Sequence, residues 1–499
     1  MKTIGHFIGG QHVTGPGLRH AAVYNPSTGS ASAQLDMADR RFVDEAIAKA
    51  AKAQQAWGSA SHAHRVAVMY KFRELLIANT DALAEIIGQE NGKTIQDAKG
   101  ELARALEAVE FATNAPAMSK GEFSRNVGGG IDVYSMRVPL GVVACIAPFN
   151  FPVMVPLMMS TMAMAVGNAV ILKPSEKVPS AALALGDLWK QAGLPDGIWN
   201  VVNGDKEVVD ALLEHPDIAA VCFVGSTSVG EYIYHKGTAH NKRVGAYTGG
   251  KNHMIVMPDA DLEAAASGFV TAGYGSASQR CMALSVLVAV GDETAERLKT
   301  LLKPLIQALK VGPYNDSQAD FGAVISAQSK AAIENAIAAG VQDGAQLVVD
   351  GRQAPCAGDA AGFYVGASLL DHVRPDMPFY QEEVFGPARA LMRVNSLDEA
   401  LQLTNSHQYG NGAVIYTRSG ASANRFVSEV DAGGIGVNVP VPVPVGYHNF
   451  GGLRRSRFGE AHLFGPDALR FYTKLKTVSQ RWPEQASATP TSLAFPGNE

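Results

Sequence analysis

The sequence predicts an α/β protein built on parallel sheets. Three observations carry this: a helix-rich first third, alternating apolar strands and helical stretches from residue 142 to 224, and a second α/β stretch from about 255 to 435. Phe42 to Trp57 has the spacing of an amphipathic helix, with Asp44 and Glu45 early and Lys49 and Lys52 later, complementing the helix dipole. His64 to Glu90 and Asp97 to Ala115 read as further helices, separated by a turn at Asn91-Gly92. Ile131 to Val138 alternates like a hairpin strand and stops at Pro139-Leu140-Gly141. There follow strand 142–147, helix 152–166, strand 169–173, helix 179–192, strand 198–202, helix 205–214 and strand 218–224. Such a βαβ series is the architecture of a dinucleotide-binding sheet. No internal repeat is evident, and the tail beyond Pro483, rich in Ser, Ala, Thr and Pro, is expected to be mobile.

A chain of 499 residues, 47% hydrophobic and 18% charged, has ample core for two or three lobes. Its net charge of −5 provides no global basic field, so no nucleic-acid partner is expected. Met1 to Gly10 lacks a charged-then-apolar signal pattern. The longest apolar run, Phe151 to Val166, is interrupted by Pro152, Pro156, Ser160 and Thr161. It falls short of the roughly 20 residues of a membrane helix. Its methionines, Met154, Met158, Met159 and Met162, suit a buried helix. A cytoplasmic protein with no membrane partner is expected.

Four cysteines without paired spacing argue against a disulfide framework and against a metal site. Cys145 and Cys222 sit in strand-like apolar runs, and Cys356 in a Gly/Pro/Ala-rich loop. Cys281, in Ser278-Gln279-Arg280-Cys281-Met282-Ala283, differs: Gly273, Gly275, Ser276 and Ser278 make its approach flexible and polar, and Arg280 can favour the thiolate. A free thiol is only about a few per cent ionised at neutral pH, so such help matters. Asn150, in Pro148-Phe149-Asn150-Phe151, supplies an amide donor for the oxyanion that thiol attack on a carbonyl produces.

Three segments read as cofactor contacts. Lys173 and Glu176 lie just past a strand's C-terminal end, where ligands of open parallel sheets gather; each could grip ribose hydroxyls, or the two could form a surface ion pair. Gly225-Ser226-Thr227-Ser228-Val229-Gly230 leads from a strand into a helix whose N–H groups can approach phosphate. It is neither the usual GxGxxG fingerprint nor a P-loop, which speaks against phosphoryl transfer. Glu383 and Phe385, two apart in Gln381-Glu382-Glu383-Val384-Phe385-Gly386-Pro387, would share a face if this segment were a strand.

In order along nearly the whole chain, these segments resemble the aldehyde dehydrogenase superfamily, together with Gly249-Gly250-Lys251-Asn252 and Gln279-Arg280-Cys281. The resemblance implies an NAD-binding Rossmann-type lobe (1–121 and 141–250), an α/β catalytic lobe (251–450) and a small β-extension (122–140 and 468–485) that makes a homo-oligomer, dimer or tetramer. It implies Cys281 as nucleophile and Asn150 as oxyanion donor. Lys173 and Glu176 become adenosine-ribose ligands, Ala147, Phe149, Lys177, Ser226 and Thr248 line the NAD site, and Glu383 holds the nicotinamide ribose beside Phe385.

Within the superfamily, Arg280 to Ser285, Lys251-Asn252-His253, Tyr409 to Gly412, Gly436 to Pro444 and Arg470 to Thr477 resemble the CoA-acylating methylmalonate- and malonate-semialdehyde dehydrogenases. Hydrolytic relatives place a glutamate general base where this chain has Tyr247. A tyrosine with a pKa of about 10 is a poor base at neutral pH, so the implied thioester waits for the thiol of coenzyme A. Arg280 and Arg104 are the implied ligands of a substrate carboxylate. Decarboxylation of the thioester then yields acetyl-CoA or propionyl-CoA. The alternative is a hydrolytic NAD-dependent enzyme releasing the free acid. Tyr247-Thr248-Gly249-Gly250 departs from the Asn-Met-Gly-Ala of the acylating subgroup, and the loop Val445 to Phe450 also differs. His253 reads as a packed residue after a turn.

Overall fold

The computed structural model describes residues 2–15 and 17–482, so the tail beyond Pro483 lies outside it. The βαβ series forms the heart of an eight-stranded sheet. Five parallel strands run in the spatial order Arg243–Tyr247, Ile218–Val224, Val142–Ile146, Ala169–Lys173, Trp199–Val201. Arg457–Phe458 closes one edge antiparallel, and His6–Ile8 with Gln11–Val13 closes the other. Val142–Ile146 and Ala169–Lys173 are buried along their whole length, which is why they read as unbroken apolar runs rather than as alternations.

The helices begin where side chains can cap them. Asp39 accepts from the Phe42 N–H to start Arg40–Ser59, and Thr94 accepts from the Asp97 N–H to start Ile95–Ala112. The long helix expected over 64–90 is two helices, His62–Ala78 and Thr80–Asn91. Between them Asn79, at φ −106° and ψ 13°, leaves the helical backbone, and both its N–H and its side-chain Nδ2 donate to the Leu75 carbonyl. The second helix ends at Gly92, whose φ of +90° is left-handed territory suited to glycine. Helix Ile95–Ala112 stops short of Ala115, which opens a separate turn, Ala115–Met118.

A seven-stranded sheet follows, ordered Gln346–Val349, Ser368–Asp371, Ala388–Val394, Leu284–Val290, Asn252–Val256, Gly412–Tyr416, Gly434–Val437, with only the first strand antiparallel. Each large sheet has its own apolar core, one running from Ile4 to Tyr472 and the other from Met254 to Ala432. The strand expected at 131–138 is Ile131–Pro139, central in an antiparallel trio with Phe123–Gly128 and Thr473–Gln480. Phe123 and Leu475 of that trio are exposed. A further small sheet near the N-terminus, Lys2–Ile4, Ser30–Met37 and Arg19–Asn25, had no counterpart in the sequence reading. Among the described residues, no helix is long and apolar enough to cross a membrane.

Candidate active site

Two cavities meet at Cys281. A narrow one of about 310 Å³ and a wider one of about 750 Å³ share Val224, Thr248 and Cys281 as walls. Strands Val142–Ile146, Ala169–Lys173, Ile218–Val224 and Arg243–Tyr247 all end at the wide cavity, because ligand space in a parallel sheet opens at the strands' C-terminal ends.

Cys281 follows an unusual turn. After helix Leu262–Tyr274, residues Ser276, Ala277 and Ser278 have φ of +58°, +50° and +61°. For residues with a Cβ this left-handed backbone costs roughly 1–2 kcal/mol each, so the surroundings must hold it. The Ser278 hydroxyl donates to the Gly273 carbonyl, which also accepts from Arg389 Nε at 2.7 Å. The approach to the thiol is therefore buried and constrained, not flexible as expected. The Cys281 carbonyl accepts from Asn252 Nδ2 at 2.9 Å and Asn411 Nδ2 at 2.8 Å, which orients its peptide.

The thiol itself is half-buried, and its pKa is pushed up to about 12, first by desolvation and then by the nearby Glu383 carboxylate. Arg280 was expected to favour the thiolate. Instead its guanidinium donates to Asp97, and its pull on the sulfur is too small to offset burial.

Asn150 lies in the loop after strand Val142–Ile146, with Nδ2 donating to the Gln279 carbonyl at 3.0 Å, two residues before the cysteine. An amide carries two N–H donors, so one remains for an oxyanion. A buried network fixes this loop. Lys93 Nζ donates to the Asn150 carbonyl at 2.6 Å and to Glu101 at 2.8 Å. Glu101 accepts from the Val153 and Met154 N–H groups, and Asn91 Nδ2 donates to the Phe149 carbonyl. Lys93, Glu101, Asn252 and Asn411 were missed as site residues. The signal available for the first two was a Lys and a Glu eight apart around a helix start, a pattern that many surface pairs share.

The wide cavity brings together Ala147, Phe149, Asn150, Lys173, Glu176, Ser226, Thr248, Glu383 and Phe385. Lys177 stands outside those walls, its Nζ 5.6 Å from the Phe149 ring centroid. Lys173 Nζ and Glu176 Oε2 are 3.2 Å apart, so the ion-pair reading and the cavity-wall reading hold for the same residues. Burial raises the Glu176 carboxyl, but Lys173 outweighs it and the pKa is held below the usual carboxylate range. Ser226 caps helix Thr227–Ala239 without a side-chain bond, leaving the helix's first N–H groups toward the cavity. A Cβ at Gly249 would lie 2.8 Å from Thr227 Oγ1 and 2.9 Å from Glu383 Oε2. That cradle needs glycine. Together these features suit a long, phosphate-bearing, ribose-containing ligand.

Glu383 and Phe385 are not in a strand. They follow the short helix Pro378–Gln381 in an irregular segment that Gly386-Pro387 keeps out of the sheet until Ala388. Glu383 nonetheless reaches the cavity, accepting from the Gly250 N–H at 3.2 Å, and desolvation pushes its pKa up to about 7. Phe385 packs edge-on against Phe149 at 5.8 Å. Buried Lys251 donates to the Phe379 and Glu382 carbonyls, which anchors the segment. His253 bonds Tyr380 in the interior, as a packed residue.

Arg104 and Arg280 both line the narrow cavity with Cys281. Each already has a carboxylate partner, Glu107 and Asp97 respectively. Tyr247 forms part of the same wall. Its ring packs against Phe450 and Phe464, its hydroxyl lies 3.0 Å from His462 Nδ1, and burial pushes its pKa up. It offers no proton acceptor near neutrality.

Residues 12–478 match the aldehyde dehydrogenase family. The chain is 50% identical to a malonate-semialdehyde dehydrogenase of Pseudomonas aeruginosa over 99% of its own length and 100% of that protein's. The crystal structure of a methylmalonate-semialdehyde dehydrogenase from Oceanimonas doudoroffii superposes with a TM-score of 0.95 at 50% identity, covering 97% of this chain and 99% of that one. A protein of Sinorhizobium meliloti, assigned as a methylmalonate-semialdehyde dehydrogenase and solved with NAD, superposes with a TM-score of 0.96 at 47% identity, again over 97% and 99% of the two chains.

Proposed function

The chain belongs to the aldehyde dehydrogenase family, and on that footing we propose that it oxidises malonate or methylmalonate semialdehyde with NAD and delivers the decarboxylated acyl group to coenzyme A. The observation that carries the reading is the meeting of two cavities at Cys281, a wide one suited to a dinucleotide and a narrow one bearing two arginines and no carboxylate at Tyr247. Malonate- and methylmalonate-semialdehyde dehydrogenases at 50% identity support the substrate class.

NAD in the wide cavity supplies the hydride acceptor. The chain's own residues do the rest. Lys173 and Glu176 hold the adenosine ribose, Ser226 and its helix N-terminus the diphosphate, and Glu383 the nicotinamide ribose, with Ala147, Phe149, Lys177, Thr248 and Phe385 around them. Cys281 Sγ bonds to the aldehyde carbon as its thiol proton leaves to solvent, and the Asn150 Nδ2 and Cys281 N–H groups donate to the oxyanion, one such donor being typically worth about 10²–10³ in rate. Arg104 and Arg280 hold the substrate carboxylate. Once the acyl group is a Cys281 thioester, its C–C bond to that carboxylate breaks, CO₂ leaves, and the enolate oxygen rests on the Asn150 donor before protonation. The thiol of coenzyme A then takes the acyl group and Cys281 regains its proton.

One observation favours the hydrolytic alternative. Glu383, with a pKa near 7, shares the wide cavity with Cys281 and could deprotonate water there. Both readings are tested by following NADH formation with malonate and methylmalonate semialdehydes, with and without coenzyme A, and identifying the products. Acetyl-CoA or propionyl-CoA formed only when coenzyme A is present supports the proposal. Free acid formed at the same rate without it selects hydrolysis.

A further inference from the structure

Arg104 and Glu107 stand one turn apart on helix Ile95–Ala112, and both line the narrow cavity. Arg104 Nη1 donates to both Glu107 oxygens at 2.8 Å, while its Nη2 donates to the Pro444 carbonyl. The Gly446 N–H donates to Glu107 Oε2 at 3.2 Å. Both ends of this pair therefore hold the loop that covers the cavity.

The cavity's charges nearly cancel. Glu101 is matched by Lys93, Asp97 by Arg280 and Glu107 by Arg104. An entering carboxylate thus meets two guanidinium groups that are each already neutralised, so its full pairing with either one competes with the resident carboxylate. The two differ in how firmly they are closed. Asp97 sits in the first turn of its helix with a side chain only 16% exposed, against 35% for Glu107. Although burial opposes it, Arg280 and Lys93 hold the Asp97 carboxyl below the usual range. Glu107 instead places both oxygens on a single nitrogen of Arg104, forgoing the parallel two-nitrogen fork, and it can turn into solvent.

We propose that Glu107 is a resident competitor for Arg104: it holds the guanidinium until substrate arrives, yields it to the substrate carboxylate, and releases the Gly446 N–H as it leaves. Glu107 would then set how strongly the enzyme prefers carboxylated aldehydes, since an uncharged aldehyde has nothing with which to displace it. The inference rests on the carboxylated-substrate reading above.

E107Q removes the charge and one of the two acceptor oxygens while keeping the shape, and E107A removes the whole carboxylate arm. The measurement is kcat/KM for malonate semialdehyde and for propanal in each variant, beside inhibition by propanoate. The ratio of malonate semialdehyde to propanal should rise about three- to fivefold in both variants, through KM, which is what a partly exposed ion pair is worth. Propanoate inhibition should tighten by a similar factor. An unchanged or lower ratio with unchanged inhibition overturns the proposal and leaves Glu107 as a mere support for Arg104. If the unsubstituted enzyme shows no preference for the carboxylated aldehyde, the functional reading fails, and the propanoate arm alone decides the role of Glu107.

Discussion

The Tyr247 hydroxyl lies 3.0 Å from His462 Nδ1, with the Tyr247 ring wedged between Phe450 and Phe464. The wall of the narrow cavity is thus aromatic and buried at this position, with no carboxylate. His462 is held below its ordinary pKa by burial and by Arg457, so this wall carries no charge of its own near neutrality. Introducing Y247E should convert a stoichiometric burst of NADH without coenzyme A into continuous turnover, at least tenfold faster than the parent. Y247F should leave the coenzyme A requirement intact. A coenzyme-A-independent Y247F would show that the phenol, not the missing carboxylate, withholds water.

The raised pKa of Cys281 fixes a direction for its reactivity. With the group titrating near 12, thiolate in the ligand-free protein is only about one part in 10⁵ at pH 7 and grows tenfold per pH unit. Iodoacetamide inactivation should accelerate steadily from pH 7 to 10 without a plateau. A plateau below pH 9 would mean that a partner lowers the thiol's pKa in solution. C281A should abolish turnover and keep NAD binding, read by fluorescence titration; retained turnover would reassign the nucleophile.

Lys93 and Glu101 form an ion pair whose side chains are 2% and 0% exposed. Removing one partner strands the other, so K93M should cost about 3–5 kcal/mol in unfolding by denaturant. The double replacement K93M/E101L should recover part of that loss. Because Lys93 also holds the Asn150 carbonyl, the recovered double variant should still acylate slowly in a single turnover. Full-rate acylation would remove Lys93 as a positioning residue.

Replacing Arg104 or Arg280 should raise KM for malonate semialdehyde at least tenfold more than KM for propanal. Equal effects on the two aldehydes would mean that the arginines only brace the loop and Asp97.

The strands Val142–Ile146, Ala169–Lys173 and Ile218–Val224 were legible within a residue because their periodicity and bounding Gly and Pro residues are local properties. The helical break at Asn79 was not, since it consists of a change in the backbone angles of a single residue. Glu383 and Phe385 were picked out on strand spacing, yet they reach the wide cavity from a loop. Their neighbourhood with Gly250 and Phe149 joins segments more than a hundred residues apart, and no local pattern encodes that.

By itself the sequence determined the fold class and the order of the motifs, and it singled out Cys281 and Asn150 as the candidate thiol and amide, because these follow from short-range pattern and residue chemistry. Only the tertiary structure decided the electrostatics. Burial raises Cys281, Asp97 captures Arg280, Glu107 captures Arg104, and Lys93 with Glu101 fixes the loop of Asn150. A charge is tuned by whatever packs around it and by how much water that packing excludes, and both are settled when distant segments come together.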